Sequence, residues 1–150
     1  TDRRMTRFWI TLDHGVALVL RALESMHGGE IFVPKIPSMN IMDLVEAVAP
    51  SCEVRITGIR PGEKLHEVLI SADEARQTIE LDDLFIIQPT HPWWKLDNCK
   101  EGRSLEDGFV YGSNTNPQKL SVENLRQMIA QLDLNADVSA EPVPAEAEPA

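Results

Sequence analysis

The residues with the clearest chemistry are an arginine and a glutamate on either side of a Pro-Gly pair, in the run 59–67, which reads IRPGEKLHE. Pro61 sets φ for a turn and Gly62 can adopt a positive φ, so the chain is expected to reverse here and then to begin a helix. The free N–H groups of that helix and the guanidinium of Arg60 would form an anion site, for which a phosphate is a natural ligand. The alternative is a solvated Arg60 beside glutamates that only complement the helix dipole.

This run resembles the RPGEKLHE signature of nucleotide-sugar 4,6-dehydratases in the extended short-chain dehydrogenase/reductase superfamily. It is most similar to that of the inverting UDP-N-acetylglucosamine 4,6-dehydratases of pseudaminic acid synthesis. The run 5–13, which reads MTRFWITLD, resembles the MTRFWI segment of the same family. The likeness continues through residues 28–39, 84–89 and 111–128, so it extends over roughly the first 130 residues with its motifs in order.

The resemblance implies that Arg7 and Arg60 converge on the diphosphate of a UDP-sugar and that Glu63 contacts the nucleoside. The residue types suit these roles, because a guanidinium offers a planar fork of donors to phosphate oxygens and a carboxylate accepts hydrogen bonds from ribose hydroxyls. The alternative for Arg7 is a surface residue beside a buried Phe8-Trp9 pair. Arg7, Arg60 and Glu63 are therefore the predicted substrate-binding residues.

Two features of the superfamily's hydride chemistry are absent from the sequence. No G-x-G-x-x-G or G-x-x-G-x-x-G run, the kind of turn that binds NADP, occurs anywhere in the chain. The only tyrosine, Tyr111, is followed four positions later by Thr115, so there is no Tyr-x-x-x-Lys pair for proton transfer. The chain also begins at Thr1 rather than at a methionine. We therefore expect the C-terminal, substrate-binding part of a longer enzyme, with no catalytic or cofactor-binding residue of its own, inactive without an N-terminal Rossmann half that binds NADP.

The resemblance also implies what the intact protein does. It would be an NADP-dependent lyase that oxidises C4 of the sugar, eliminates water across C5 and C6, and returns the hydride to C6 with inversion at C5. It would act in the cytoplasm as a homo-oligomer and supply flagellin glycosylation or surface polysaccharide biosynthesis. Two alternatives stay open: a part of another nucleotide-sugar epimerase or retaining dehydratase that shares RPGEK, and a non-catalytic interaction module that binds a partner through its acidic tail.

Composition narrows the classes of partner. The 150 residues include 24 acidic and 14 basic side chains, for a net charge of −10, which argues against nucleic acid and anionic membranes as partners. No apolar stretch approaches the ~20 residues that span a bilayer. Cys52 and Cys99 lack C-x-x-C spacing, and none of the four histidines has metal-ligand spacing to another histidine or to a cysteine, so no metal is predicted.

The pattern of the chain predicts an α/β fold. Apolar periodicity and cap residues predict helices over 12–27, from Asn40 towards Pro50, over 72–76 and from Ser121 onward. Short apolar or alternating runs predict strands over 30–33, 52–57, 78–81, 84–88 and 109–111, with 78–81 paired to 84–88. The helix expected after Gly62 would carry Leu65, Val68 and Leu69 inward.

The expected organisation is one domain and a tail. Residues 1–134 would form the substrate-binding part, with the last elements of the cofactor-domain sheet at its start. Within it, residues 1–34 would pack on the missing Rossmann domain, so helix 12–27 and the Phe8-Trp9 pair should be exposed in this chain. Residues 135–150 are rich in Ala, Glu and Pro and are predicted to be a disordered acidic tail.

Overall fold

The structure, a computed structural model, describes residues 1–91 and 102–135. In chain order its elements are β1 Thr6–Phe8, α1 Leu12–Ser25, β2 Ile31–Pro34, β3 Ser38–Asn40, α2 Ile41–Val48, β4 Val68–Ile70, α3 Ala72–Ala75, β5 Thr78–Glu80, β6 Leu84–Ile87, β7 Arg103–Ser104, β8 Tyr111–Gly112 and α4 Val122–Asn135. The mixed α/β architecture expected from the sequence is confirmed. Apart from Asn135, the predicted tail lies outside the described residues.

The strands form three small sheets in which every ladder is antiparallel. One sheet has four strands in the order β2-β6-β5-β7, and the pairs β1-β3 and β4-β8 form the other two. The predicted pairing of 78–81 with 84–88 is confirmed as β5 and β6, with Ile79 opposite Ile86. The strand expected over 109–111 is shifted, because β8 begins only at Tyr111.

Local cap chemistry sets where the helices begin. The side chain of Thr11 accepts a hydrogen bond from His14 N at the start of α1, and Asn40 Oδ1 accepts from Met42 N at 2.7 Å at the start of α2. Each cap satisfies an N–H that would otherwise lack a partner in the first turn. The helices predicted after Thr11 and Asn40, over 72–76 and after Ser121 are all confirmed.

The core lies around β6, whose four residues are all buried. The buried cluster consists of Val33, Ile70, Phe85, Ile87 and Tyr111. The Tyr111 ring lies 5.1 Å from that of Phe85, and its hydroxyl accepts from Ile36 N and donates to Ile36 O, both at 3.0 Å. Burial raises the pKa of this hydroxyl, which is therefore a structural hydrogen-bonding group.

Two predicted elements are wrong, since no strand or helix occurs between α2 and β4. The run 52–57 alternates like a half-buried strand, but no neighbouring strand receives its backbone groups and Ile56 is 42% exposed. The helix expected after Gly62 is replaced by turns that lead into β4, and Val68 and Leu69 are exposed rather than inward. After Gly62, non-local hydrogen bonds override the local pattern, whereas the run 52–57 has no strand beside it in the described part of the chain.

Helix α1 contains no buried residue. Its exposed large apolar side chains are Leu12, Val16, Val19, Leu20 and Leu23. The expectation of a bare apolar helix face is therefore confirmed. It is wrong for Phe8 and Trp9, which are half-buried, since the Phe8 ring packs 4.9 Å from that of Tyr111.

Candidate functional site

The Pro-Gly turn predicted from the sequence is present and is closed by two hydrogen bonds. Gly62 has φ 80°, and Glu63 N donates to Arg60 O at 3.0 Å, as in a type II turn with Pro61 at its second position. The Glu63 carboxylate turns back, so that its Oε2 accepts from Arg60 N at 3.0 Å. Residues 60–63 therefore form a compact unit in which Arg60 and Glu63, the two predicted substrate-binding residues, occupy the first and last positions.

The two side chains of this turn differ in what they offer to a ligand. The hydrogen bond from Arg60 N lowers the pKa of the Glu63 carboxyl, helped by the positive charge of Arg60, so Glu63 is ionised at neutral pH. As a carboxylate, Glu63 can only accept hydrogen bonds. The Arg60 side chain is exposed, and no carboxylate among residues 1–91 and 102–135 forms an ion pair with it. Its guanidinium thus has donors available for an anion.

Arg7 lies directly against the backbone that follows the turn. Its Nη1 donates to Thr6 O at 2.7 Å and to Leu65 O at 3.2 Å, and its Nη2 donates to Lys64 O at 2.9 Å. Its Nε is 3.5 Å from Glu67 Oε1. The structure thus brings Arg7 to the segment that continues from Glu63. Three of its five N–H groups are already bonded to carbonyls, and one N–H on Nη2 remains unassigned.

Three polar side chains that sequence reasoning missed tie this segment to the rest of the fold. We call Thr6, His66 and Ser113 the anchor. Thr6 Oγ1 lies 2.8 Å from His66 Nδ1 and 2.7 Å from Ser113 Oγ. Ser113 Oγ also accepts from Glu67 N at 2.9 Å, and Ser113 N donates to Glu67 O at 2.8 Å. Thr6 and Ser113 are 107 positions apart in the chain, and no spacing rule in a single sequence relates such positions.

A separate charged cavity of about 620 Å³ is lined by Lys35, which directly follows β2, by residues 80–83 between β5 and β6, and by Arg103 of β7. Its charged lining residues are Arg21, Lys35, Glu80, Asp82, Asp83 and Arg103. Glu80 receives Lys35 Nζ and Arg103 Nε, each at 2.8 Å, and Arg21 pairs with Asp83. Because its cations are neutralised by these carboxylates, this cavity is a weaker anion site than the turn despite its size.

Two further kinds of site were sought in residues 1–91 and 102–135. None of the helices found there is long and apolar enough to cross a membrane. Within the same residues, no three His, Cys, Asp or Glu side chains are grouped so that they could hold a metal ion.

Comparison with known proteins places these features in a family. The model of the polysaccharide biosynthesis protein family matches residues 1–89. The inverting UDP-N-acetylglucosamine 4,6-dehydratase of Campylobacter jejuni is 47% identical over 136 residues, which are 86% of this chain and 41% of that protein. UDP-glucose 4-epimerase of Rickettsia massiliae is 33% identical over 142 residues, which are 89% of this chain and 40% of the epimerase.

The fold has a solved counterpart as well. The X-ray structure of Pen from Bacillus thuringiensis matches with a TM-score of 0.73 and 32% identity, over 89% of this chain and 39% of the Pen chain. This chain thus spans about two fifths of the length of the relatives it matches. The resemblance drawn from the RPGEKLHE and MTRFWI runs is confirmed, both of these runs fall within the matched residues 1–89, and the chain belongs to the polysaccharide biosynthesis protein family.

Proposed function

We propose that this chain is the UDP-sugar-binding part of a nucleotide-sugar 4,6-dehydratase of the inverting UDP-N-acetylglucosamine type. The observation that carries the proposal is the closed turn 60–63, which presents Arg60, with no ion pair to a carboxylate in the described part of the chain, beside an ionised glutamate. The identity of 47% to the Campylobacter enzyme supports the class of substrate. A guanidinium and a carboxylate on one rigid turn suit a ligand with a diphosphate next to a ribose.

Each of the three residues has a distinct role in this proposal. Arg60 donates to the diphosphate from an exposed position. Glu63, ionised at neutral pH as glutamates ordinarily are, accepts hydrogen bonds from the nucleoside. Arg7 adds the remaining N–H of its Nη2 to the diphosphate while its other donors hold the carbonyls of Lys64 and Leu65.

The residues of this chain do not fit NADP. A dinucleotide site needs a glycine-rich turn that follows a strand and opens a helix, whereas Gly28 and Gly29 follow α1 and precede β2. Tyr111 is held in the core by Ile36 and has no lysine four positions later. We therefore assign the NADP-dependent lyase chemistry to other parts of a longer protein, and this chain alone is expected to bind the substrate without converting it.

The apolar face of α1 supports the same organisation. An exposed patch of this kind marks a surface that another element covers, and we propose that residues 1–34 pack on the Rossmann half of the longer protein. From the family resemblance of the RPGEKLHE and MTRFWI runs, we further propose that the longer protein is a cytoplasmic homo-oligomer that acts in pseudaminic acid synthesis for flagellin glycosylation.

An epimerase is the second candidate, because UDP-glucose 4-epimerase of Rickettsia massiliae matches 89% of this chain. Both candidates share the substrate-binding part, so the product distinguishes them. Incubation of the full-length gene product with UDP-N-acetylglucosamine should give a product lighter by one water, detected by mass spectrometry. A product of unchanged mass would favour the epimerase.

Titration of the full-length gene product with UDP tests the binding site. Arg60→Ala removes a charged hydrogen-bond donor worth about 1.5–3 kcal/mol, so the Kd for UDP should rise by about 10- to 150-fold. Arg55→Ala is the matched control, since Arg55 is an exposed arginine outside the turn, and it should leave the Kd unchanged. Equal affinities of the two variants would refute the site.

A further inference from the structure

We infer that Ser113 is a positioning residue for the candidate site: its buried hydroxyl sets where the 60–67 segment, and with it Arg60 and Glu63, lies relative to β1. The inference rests on the proposed UDP-sugar site for its functional consequence. The structural claim, that Ser113 holds the 60–67 segment against β1, depends only on the hydrogen bonds of Ser113.

The Ser113 hydroxyl joins two segments that are distant in sequence. Its Oγ accepts from Glu67 N at 2.9 Å and lies 3.2 Å from Thr6 O and 2.7 Å from Thr6 Oγ1, to one of which it donates. Ser113 is 1% exposed, so water does not replace these bonds. The backbone adds a second link, from Ser113 N to Glu67 O at 2.8 Å. One side chain thus fixes the distance between β1 and the end of the substrate-binding segment.

The donors and acceptors of the anchor balance in two arrangements. Ser113 can donate to Thr6 O while Thr6 donates to Ser113 Oγ and His66 Nδ1–H donates to Thr6 Oγ1. Alternatively, Ser113 donates to Thr6 Oγ1 and Thr6 donates to His66 Nδ1. In both arrangements Ser113 Oγ receives Glu67 N–H. Replacing Ser113 by alanine would leave that N–H buried without a partner, which a protein rarely tolerates without a local shift.

Arg7 connects this junction to the turn. Thr6 O accepts from Arg7 Nη1 and lies 3.2 Å from Ser113 Oγ, and the Glu67 carboxylate lies 3.5 Å from Arg7 Nε. Arg7 in turn holds the carbonyls of Lys64 and Leu65. A change at Ser113 therefore moves two of the four groups that contact Arg7, and through Arg7 the residues directly after Glu63.

Ser38 provides the matched control. It is a second fully buried serine, in β3, but its Oγ has no hydrogen-bond partner among the described residues. Ser38→Ala and Ser113→Ala remove the same atom from equally buried positions, and they differ in the hydrogen bonds that are lost. A general effect of emptying a buried serine site would appear in both variants.

The test measures amide hydrogen exchange and UDP affinity on the full-length gene product, at a temperature where each variant is folded. In Ser113→Ala, peptides that cover 60–67 should exchange about 10-fold faster and the Kd for UDP should rise about 5- to 10-fold, as expected for loss of a buried hydrogen bond. Ser38→Ala should match the wild type in both measurements. A purely structural role of Ser113 would lower Tm but leave the Kd unchanged, which would overturn the inference.

A second variant keeps the test decisive. Thr6→Val preserves the β-branched shape and replaces only the hydroxyl Oγ1, by a methyl group. Its exchange rate at 60–67 and its Kd for UDP should therefore rise as in Ser113→Ala, but by less. This variant is the one to measure if Ser113→Ala does not fold. Wild-type exchange rates and affinity in both variants would overturn the inference. If the proposed function is wrong, Arg60→Ala will bind UDP as tightly as the wild type, or the wild type will not bind UDP at all. In either case the hydrogen-exchange rates of peptides 60–67 still decide whether Ser113 holds the segment.

Discussion

Replacing Arg7 by lysine separates its structural role from its role in binding. The guanidinium spans three carbonyls, those of Thr6, Lys64 and Leu65, at 2.7, 2.9 and 3.2 Å. A lysine ammonium keeps the charge, but it is a single donor atom that cannot reproduce a fork of this width. Arg7→Lys therefore tests whether geometry, rather than charge, holds the 64–65 segment against β1.

The magnitude follows from the number of bonds lost. A hydrogen bond from a charged donor contributes about 1.5–3 kcal/mol, and an ammonium that retains two of the three partners loses one such bond. The Arg7 side chain is 23% exposed, so solvent replaces little of the loss. We expect the free energy of unfolding to fall by about 1.5–3 kcal/mol. With a denaturant slope of about 1.5 kcal/mol per M, the urea midpoint should fall by about 1–2 M.

Equilibrium urea unfolding followed by circular dichroism measures this change. Arg76→Lys is the control, because Arg76 forms an exposed ion pair with Asp73 at 3.2 Å, and such a pair contributes only about 0–1 kcal/mol. Equal midpoints for Arg7→Lys and the wild type would refute the reasoning and leave Arg7 as a ligand contact only. A lowered midpoint with unchanged UDP affinity would restrict Arg7 to holding the segment.

Two other expectations concern the charged cavity and α1. Hydrogen bonds from Arg103 and Lys35 lower the pKa of Glu80, so its stabilising effect is complete above the ordinary glutamate pKa of about 4.3 and is lost as the pH falls through the lowered value. In thermal melts the wild type should therefore exceed Glu80→Gln in Tm at pH 7, and this difference should shrink below about pH 4.3; a difference independent of pH would contradict it. In the isolated 150-residue chain, Leu20→Glu on α1, where Leu20 is 57% exposed, should reduce hydrophobic-dye binding with little change in Tm. A large fall in Tm would show that this face is packed within the chain.

The parts of the fold that were predicted correctly are those governed by neighbours in sequence. Thr11 and Asn40 begin helices because their side-chain oxygens accept from N–H groups two or three residues later. The Arg60–Glu63 turn forms because proline and glycine have the backbone preferences that its middle positions require. In each case the interactions that decide the local structure lie within about four residues, so the structure can be predicted from one sequence.

The errors occur where distant partners decide the backbone conformation. After Gly62 the sequence has helix-forming residues, yet the carbonyls of Lys64 and Leu65 bond to Arg7 and to Thr6 N, and Glu67 pairs with Ser113. These hydrogen bonds take up the carbonyls that a helix would use, so the local preference is overridden. The strand predicted over 52–57 failed for the converse reason, because no partner strand lies beside it to receive its backbone groups.

The same distinction explains how much of the site was visible in advance. Arg60 and Glu63 could be proposed as ligand contacts because their chemistry and their turn lie within four consecutive residues. Arg7 was predicted to be a ligand contact, and that stays a prediction, whereas its hydrogen bonds to residues 57 and 58 positions away were not foreseen. A motif in one sequence therefore suggests candidate ligand contacts more readily than the groups that hold them in place.

Preorganisation links these hydrogen bonds to affinity. An arginine on a flexible loop would lose backbone freedom when it bound a diphosphate, and that loss would reduce the net binding energy. Here the backbone loses this freedom during folding rather than during binding, because Glu63 closes the turn. Arg7 and Ser113 hold the residues that follow it, 64–67. At the proposed UDP-sugar site, Ser113 and the backbone contacts of Arg7 would then contribute to affinity without touching the ligand. Substitutions of Thr6 in β1 and of Ser113, which directly follows β8, should consequently weaken UDP binding while Arg60 itself is unchanged.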